Sequence, residues 1–178
     1  MSSRRSFCLT LIGCLPVIAW ADLYDDYINS TSNRPFVSFQ GRKGSVSTVG
    51  HAFVGVGVQL NATLRIYERF FGLYPDGDTL EALKSVFSPT SGRLDQTWSD
   101  IAWDTELVKW VDDTQRKQVL TTFDDWSSAA PEYSLLGNSG LNCNGLLAEV
   151  ATSIGLLVPD GAGTTRPWKF IEAIKSLN

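Results

Sequence analysis

Apolar and polar residues alternate most regularly in the stretch His-Ala-Phe-Val-Gly-Val-Gly-Val-Gln at 51–59. A period of two is typical of a β-strand, whose successive side chains point to opposite faces. One face therefore carries Ala52 and three valines, and the other carries His51, Phe53 and two glycines. Glycines inside a strand indicate a close approach to the backbone. We expect a helix to pack closely against the histidine face.

The neighbouring segments extend this strand into a predicted antiparallel sheet. Residues 64–73, rich in Ile, Tyr and Phe, are predicted to return after a short turn and form a hairpin with 51–59. Residues 36–39 are predicted to form an earlier strand, followed by a turn at 41–44 that contains two glycines. A further strand is predicted over 106–111.

Four segments favour helices. Residues 79–87 are predicted to form a short helix, and 115–127 a longer one with a buried stripe at helical spacing. A third helix is predicted to begin at Cys143 and to end before Pro159, and the last to begin at Pro167. This count of elements predicts an α+β fold, with helices packed on a small antiparallel sheet.

The first 21 residues have the organisation of a secretory signal peptide. Arg4 and Arg5 precede an apolar run that ends in Ala-Trp-Ala at 19–21, which predicts cleavage after Ala21. No later stretch approaches the roughly 20 apolar residues that a spanning helix requires. We therefore expect a periplasmic or secreted protein without stable membrane insertion.

Two other interpretations of the same segment remain open. Ser-Arg-Arg-Ser-Phe at 3–7 resembles a twin-arginine export signal, and Leu-Ile-Gly-Cys ending at Cys14 resembles a lipoprotein cleavage site. We favour anchoring at Cys14 less, because the apolar run continues beyond it. All three interpretations place the protein outside the cytoplasm.

Removal of residues 1–21 leaves 157 residues, which suits a single domain. We expect an irregular lead-in over 22–35 and one folded domain over 36–178. The remaining chain has 13 basic and 19 acidic residues, a balance of about −6. Such a charge disfavours binding to phosphate backbones, so we expect no nucleic-acid partner.

Cysteine and histidine usage is the most informative part of the composition. Cys8 and Cys14 lie in the predicted signal peptide, so Cys143 is the only thiol left, and His51 is the only imidazole in the chain. An unpaired cysteine in an oxidising compartment is either a reactive thiol or a small buried hydrophobic residue. Together, Cys143 and His51 could also be the nucleophile and the base of a thiol hydrolase.

A thiol hydrolase needs a nucleophilic thiolate, a neighbouring imidazole and donors aimed at a developing oxyanion. Asn142 is predicted to cap the helix that begins at Cys143. The free first-turn amides and the positive end of the helix dipole would then lower the pKa of the Cys143 thiol. The same amides, with the side chain of Asn142, are candidate oxyanion donors, and His51 is the candidate base.

A third polar group usually orients the imidazole. If the predicted hairpin turns near residue 62, residues 71–75 lie opposite His51, and Tyr74 comes within reach. Gln59 and Glu68 lie too far along their strands at about 3.3 Å per residue. Tyr74 is therefore the candidate third group, with a backbone carbonyl or a water as alternatives.

The residues that other kinds of catalytic or cofactor site require are missing from the sequence. One histidine and one cysteine fall short of the ligand sets of zinc sites, so we expect no metal. The chain contains neither a Gly-x-Ser-x-Gly elbow nor a glycine-rich phosphate loop, and we expect no cofactor.

Several motifs together resemble one known group of proteins. Gly-His-Ala-Phe-Val at 50–54 is followed by an aromatic strand ending in Gly-Leu-Tyr-Pro, and Asn-Cys at 142–143 opens a helix that runs to Gly-Leu-Leu-Val-Pro. With the final Pro-x-x-Phe-Ile helix, this order is similar to the circularly permuted papain-like (NlpC/P60-related) families, over about residues 36–178. In permuted members the histidine strand precedes the cysteine helix. Bacterial members commonly have Asn-Cys-x-Asp-Phe, whereas this chain has Asn-Cys-Asn-Gly-Leu.

The resemblance implies a cysteine hydrolase with Cys143 as nucleophile and His51 as general base. In an exported bacterial protein, the foremost substrate it implies is the stem peptide of peptidoglycan or another amide, cleaved by an amidase or endopeptidase. We also expect a cognate inhibitor protein as a second partner. Two alternatives stay open: a non-catalytic binding or inhibitory module on the same scaffold, and a lipid acyltransferase or thioesterase.

Overall fold

The computed structural model describes residues 33–44, 50–61, 64–77, 79–95, 102–129, 131–136 and 141–178. The predicted signal peptide at 1–21, including Cys14, and most of the predicted lead-in lie outside these ranges. The strands are β1 (Arg34–Arg42), β2 (His51–Gln59), β3 (Arg65–Pro75), β4 (Thr90–Asp95), β5 (Thr105–Trp110) and β6 (Glu132–Tyr133). The helices are α1 (Thr79–Lys84), α2 (Asp113–Ala129), α3 (Cys143–Ser153) and α4 (Pro167–Leu177).

The six strands form one sheet in the order β5-β1-β2-β3-β4-β6, and every pairing between these strands is antiparallel. The predicted α+β class is therefore confirmed. Among the helices that the structure describes, none is both long and apolar enough to cross a membrane.

The core lies between the sheet and the helices α2, α3 and α4. Ala52, Val54 and Val56 of β2 are fully buried in one apolar cluster with residues of these helices. Aliphatic side chains at every second position of a strand lie on one side of the sheet and give a helix a continuous apolar surface to pack on. We call this side of the sheet the helical face.

The opposite side of the sheet, which we call the aromatic face, carries the other set of β2 side chains. The rings of Phe53 and Phe70 stack with centroids 5.6 Å apart, and Tyr67 meets Phe36 edge to face at 5.2 Å. A side chain at Gly55 would collide with the Tyr67 ring. The expectation that a helix packs against the glycines is therefore wrong: a tyrosine of β3 fills that space, and the helices pack on the valines.

Most predicted elements are present, with shifted ends. The strand at 51–59 and the helix beginning at Cys143 are confirmed, and the helix predicted at 79–87 ends at Lys84. The turn predicted at 41–44 is wrong in its first half, because Gly41 and Arg42 continue β1 and pair with the start of β2. β1 also begins at Arg34, inside the predicted lead-in.

The register of the β2–β3 hairpin contains one irregularity. Val54 pairs with Phe71 and Gly57 with Tyr67, and the register shifts between Val56 and Gly57. Such a shift indicates an extra residue in one strand and a stronger local twist. Continued from Val54, the register brings His51 opposite Tyr74, within the range 71–75 expected from the sequence.

The absence of a side chain at Gly57 is a packing requirement that can be tested. A Cβ at this position would meet the backbone carbonyl oxygen of Ile66, which cannot move without disturbing the sheet. We expect Gly57→Ala to lower the free energy of unfolding by about 2 kcal/mol or more in urea denaturation. The matched control is Gly145→Ala, where the new Cβ meets the flexible end of Leu141 at 3.3 Å. This change should leave stability equal or raise it by up to about 1 kcal/mol, and equal losses in both variants would contradict the assignment.

Candidate active site

The N-terminus of α3 positions the only thiol of the described residues. Asn142 has extended backbone angles (φ −124°, ψ −177°), and its side-chain oxygen accepts a hydrogen bond from the Gly145 amide at 3.0 Å. The predicted cap is therefore confirmed, and Cys143 is the first residue of the helix. The Nδ2 of Asn142 donates to the carbonyls of Leu135 and Gly163, both at 3.2 Å. This side-chain amide thus connects two loops to the start of the helix. Its N–H groups are already hydrogen-bonded to backbone carbonyls.

The Cys143 thiol is buried and is 4% exposed. The backbone amides of Ala52, Asn144 and Cys143 itself act on the sulfur and favour the thiolate. Burial has the larger effect and raises the pKa of the thiol to about 11. This direction is opposite to the lowering expected from the helix N-terminus alone, so the resting thiol is protonated at neutral pH.

His51 is buried at the start of β2. Its ring lies 4.0 Å from that of Tyr74 and 4.6 Å from that of Phe53, centroid to centroid. Burial, as the largest cause, and the charge of Arg42 lower the pKa of the imidazole to about 3, and the charge of Asp95 partly opposes them. The resting imidazole is therefore neutral, and its Nε2 has no hydrogen-bond partner.

Tyr74 is brought to the histidine, as the hairpin register predicts, but the contact is between ring faces. Burial, as the largest cause, raises the pKa of the Tyr74 hydroxyl to about 12; the charge of Arg42 opposes this effect and that of Asp95 adds to it. Tyr74 is thus a neutral phenol whose ring touches the imidazole.

Asp95 is a candidate site residue that the sequence did not indicate. It pairs across β3–β4 with Gly72, and a Cβ at Gly72 would lie 2.9 Å from the Nε2 of His51. Cross-strand partners share a face of the sheet, so the Asp95 carboxylate lies on the same face as the imidazole. It also forms an ion pair with Arg93 at 3.7 Å. β4 was not predicted, because its sequence, Thr-Ser-Gly-Arg-Leu-Asp, contains a single apolar residue.

His51 and Cys143 lie at the same end of β2. The backbone amide of Ala52, the residue that follows His51, lowers the pKa of the thiol. Successive residues of a strand direct their Cβ atoms to opposite faces, so Ala52 faces the helices and His51 begins on the aromatic face. The Nε2 of the imidazole lies near Gly72, and His51 is not among the groups that shift the pKa of the thiol.

A cleft of about 480 Å³ adjoins Cys143. It is formed by the start of α3, the segment before α4, and the ends of β1, β2 and β6. Besides Cys143, its walls contain Lys43, Gly44, Gly50, Tyr133, Leu135, Leu136, Asn142, Asn144, and residues 163–168. A volume of this size accommodates a short peptide or a similar small molecule.

No group of three or more histidine, cysteine or acidic side chains suited to a metal ion occurs within the described ranges. Comparison of the chain with protein-family models, with curated proteins and with solved structures finds no match. A functional assignment therefore rests on this chain's own residues and motifs.

The lowered pKa of His51 predicts a specific loss of stability in mild acid. The folded protein binds the imidazole proton far more weakly than the unfolded chain, so stability is fully present above about pH 6.5 and is lost as the pH falls toward 3. We expect wild type to lose about 1.5 kcal/mol of unfolding free energy between pH 6.5 and 5.0, where carboxylates titrate little.

The control for this measurement is His51→Gln, which removes the only imidazole of the chain. Its unfolding free energy, measured in urea at the same pH values, should stay nearly constant over this interval. Parallel curves for the two proteins would show that the buried histidine does not have a lowered pKa.

Proposed function

We propose that this protein is a cysteine hydrolase that cleaves an amide bond, with Cys143 as nucleophile and His51 as general base. The observation that carries the proposal is the position of the thiol. It lies at the N-terminus of α3 beside a cleft, and backbone amides favour its thiolate, among them that of Ala52, which follows the sole histidine. Thiol, imidazole and amide donors are the three parts that thiol hydrolysis requires.

The proposed first step is attack of the sulfur on the carbonyl carbon of the substrate. The imidazole of His51 takes the thiol proton as the S–C bond forms, and the carbonyl π electrons move to the oxygen. Amides of the first turn of α3 stabilise this oxyanion. Collapse of the tetrahedral intermediate breaks the C–N bond, and the imidazolium gives its proton to the departing amine. Water, deprotonated by the imidazole, then hydrolyses the thioester and restores the thiol.

Asp95 and Tyr74 are proposed to act on the imidazole. Nε2 of His51 is directed toward Gly72, the cross-strand partner of Asp95, and the negative charge of Asp95 favours the imidazolium. The Tyr74 ring lies against the imidazole and limits its rotation. We assign Asp95 the electrostatic part and Tyr74 the steric part of positioning His51.

The substrate that we favour is a peptide amide of the cell wall. The predicted export signal and the similarity of the motifs to permuted papain-like (NlpC/P60-related) hydrolases support this choice. We also propose that the fold is a permuted papain-like domain. An antiparallel sheet whose histidine strand β2 lies against the helix beginning at Cys143 supports this finer assignment.

A binding or inhibitory module on the same scaffold is the second candidate. The observations that favour it are the thiol pKa near 11, the imidazole pKa near 3 and the unpaired Nε2. A site with these values holds both groups neutral, which also suits a structural cysteine and histidine.

Alkylation of Cys143 by iodoacetamide separates the two candidates. If His51 accepts the thiol proton, we expect His51→Ala to slow alkylation at pH 7 by at least about tenfold, which corresponds to about 1.4 kcal/mol. Asp95→Asn should produce a smaller decrease. Lys117→Gln, on the far helix α2, is the control and should react like wild type. Equal rates in wild type and His51→Ala would favour the binding module.

Turnover is tested on purified peptidoglycan. We expect wild type to release new amino groups and Cys143→Ala to release none, because no other thiol remains after the predicted cleavage at Ala21. Folding of the variant is checked by circular dichroism. Undiminished release by a folded Cys143→Ala protein would contradict catalysis at this residue.

A further inference from the structure

The charge of the cleft differs from that of the whole protein. The full chain has a formal net charge of −4, yet the described residues that line the cleft include Lys43 and Arg166 and no carboxylate. The two cations enter from different parts of the fold: Lys43 follows β1, and Arg166 is the N-cap residue of α4. Their meeting at one cleft is therefore a property of the tertiary structure.

Trp168 lies at the centre of this group. The Lys43 ammonium is 4.9 Å from the centroid of its ring, and that of Lys169 is 5.5 Å away. An aromatic face attracts cations and keeps them near its surface. Lys43, Arg166 and Trp168, which line the cleft, form what we call its cationic wall, and Lys169 adjoins it at the Trp168 ring.

None of the ion pairs between described residues involves Lys43, Arg166 or Lys169. One carboxylate lies close by: Asp104 accepts a hydrogen bond from the backbone amide of Lys43 at 2.6 Å. It does not line the cleft. Within the part of the chain that the structure describes, the charged ends of Lys43, Arg166 and Lys169 thus have no acidic partner.

The start of α4 adds to the positive electrostatic potential in the cleft. Arg166 makes no side-chain cap, and Pro167 is the first residue of the helix. The positive end of the helix dipole and the next backbone amides therefore add to the charges of the wall. Anions bind where such amides and cationic side chains converge.

We propose that the cationic wall binds an anionic group of the substrate, a carboxylate or a phosphate, while Cys143 attacks an amide elsewhere in the same molecule. This inference rests on the proposed hydrolase function and adds a substrate class to it. Cys143 and Trp168 line one cleft of about 480 Å³, so one small molecule can reach both. Neutral peptides without an anionic group should be poor ligands.

The binding step can be tested without turnover. The indole N–H signal of Trp168 is followed by NMR on isotope-labelled protein and assigned with Trp168→Phe. N-acetylglycine is the carboxylate probe, inorganic phosphate is the phosphate probe, and N-acetylglycinamide is the neutral match. We expect saturable shifts with at least one anion and none with the amide, and added salt should weaken the binding.

Variants locate the binding site. Lys43→Gln and Arg166→Gln should each weaken anion binding by at least about fivefold, whereas Lys117→Gln on α2 should leave it unchanged. A response to the carboxylate probe alone identifies a carboxylate-bearing substrate, and a response to phosphate alone a phosphate-bearing one. Equal response to the neutral amide, or unchanged binding in Lys43→Gln and Arg166→Gln, would overturn the proposal.

A second pair of reagents connects the wall to the thiol. Iodoacetate and iodoacetamide carry the same leaving group and differ in charge, so the ratio of their rates at one pH is independent of the thiolate fraction. We expect Lys43→Gln and Arg166→Gln to lower the iodoacetate-to-iodoacetamide ratio by at least about threefold. Failure of the hydrolase proposal would appear instead as equal iodoacetamide rates in wild type and His51→Ala, with anion binding retained.

Discussion

The close packing of β2 on both of its faces is the constraint on which the rest of the structure depends. Its helical face carries only alanine and valines, which α2, α3 and α4 cover. Its aromatic face is so tightly occupied that a side chain at Gly55 would meet Tyr67, and one at Gly57 would meet the backbone of β3. This strand cannot shift by one residue without moving its valines out of the core. Its first residues, His51 and Ala52, are therefore fixed relative to the start of α3.

That rigidity has an electrostatic consequence at the candidate site. A helix N-terminus stabilises a nearby negative charge by about 0.3–2 kcal/mol. A pKa of about 11 against an ordinary 9.0 for Cys143 means that burial exceeds the help of all neighbouring amides. The difference corresponds to roughly 3 kcal/mol in favour of the neutral thiol. Burial likewise disfavours the charged form of His51, so the imidazole is neutral. A catalytic cycle at this site must therefore create its charges during attack.

The sequence predicted the parts of the site that depend on local patterns. The alternation at 51–59 identified β2, the Asn-Cys dipeptide identified the cap of α3, and strand spacing alone brought Tyr74 to His51. It could not predict Asp95, because β4 has almost no apolar alternation and is held by its pairing with β3. The side of the sheet that the helices cover was predicted wrongly. Glycine permits any close neighbour, and only the tertiary structure shows that this neighbour is Tyr67. The direction of the thiol pKa also depends on burial, which a sequence pattern does not measure.

The position of the charges connects the core to the substrate. Lys43 and Arg166 lie more than a hundred residues apart in the chain, and they line one cleft because α4 packs against β1, with Ile171 and Ile174 of that helix fully buried. The same packing sets the Trp168 ring beside Lys43. An acidic protein repels anions at long range, and screening limits that repulsion to about 8–10 Å at physiological salt. Inside the cleft the local cations therefore outweigh the net charge. Discrimination in favour of an anionic substrate therefore takes place in the cleft, after the substrate has reached the protein. It depends on residues whose positions are set by the packing of the core.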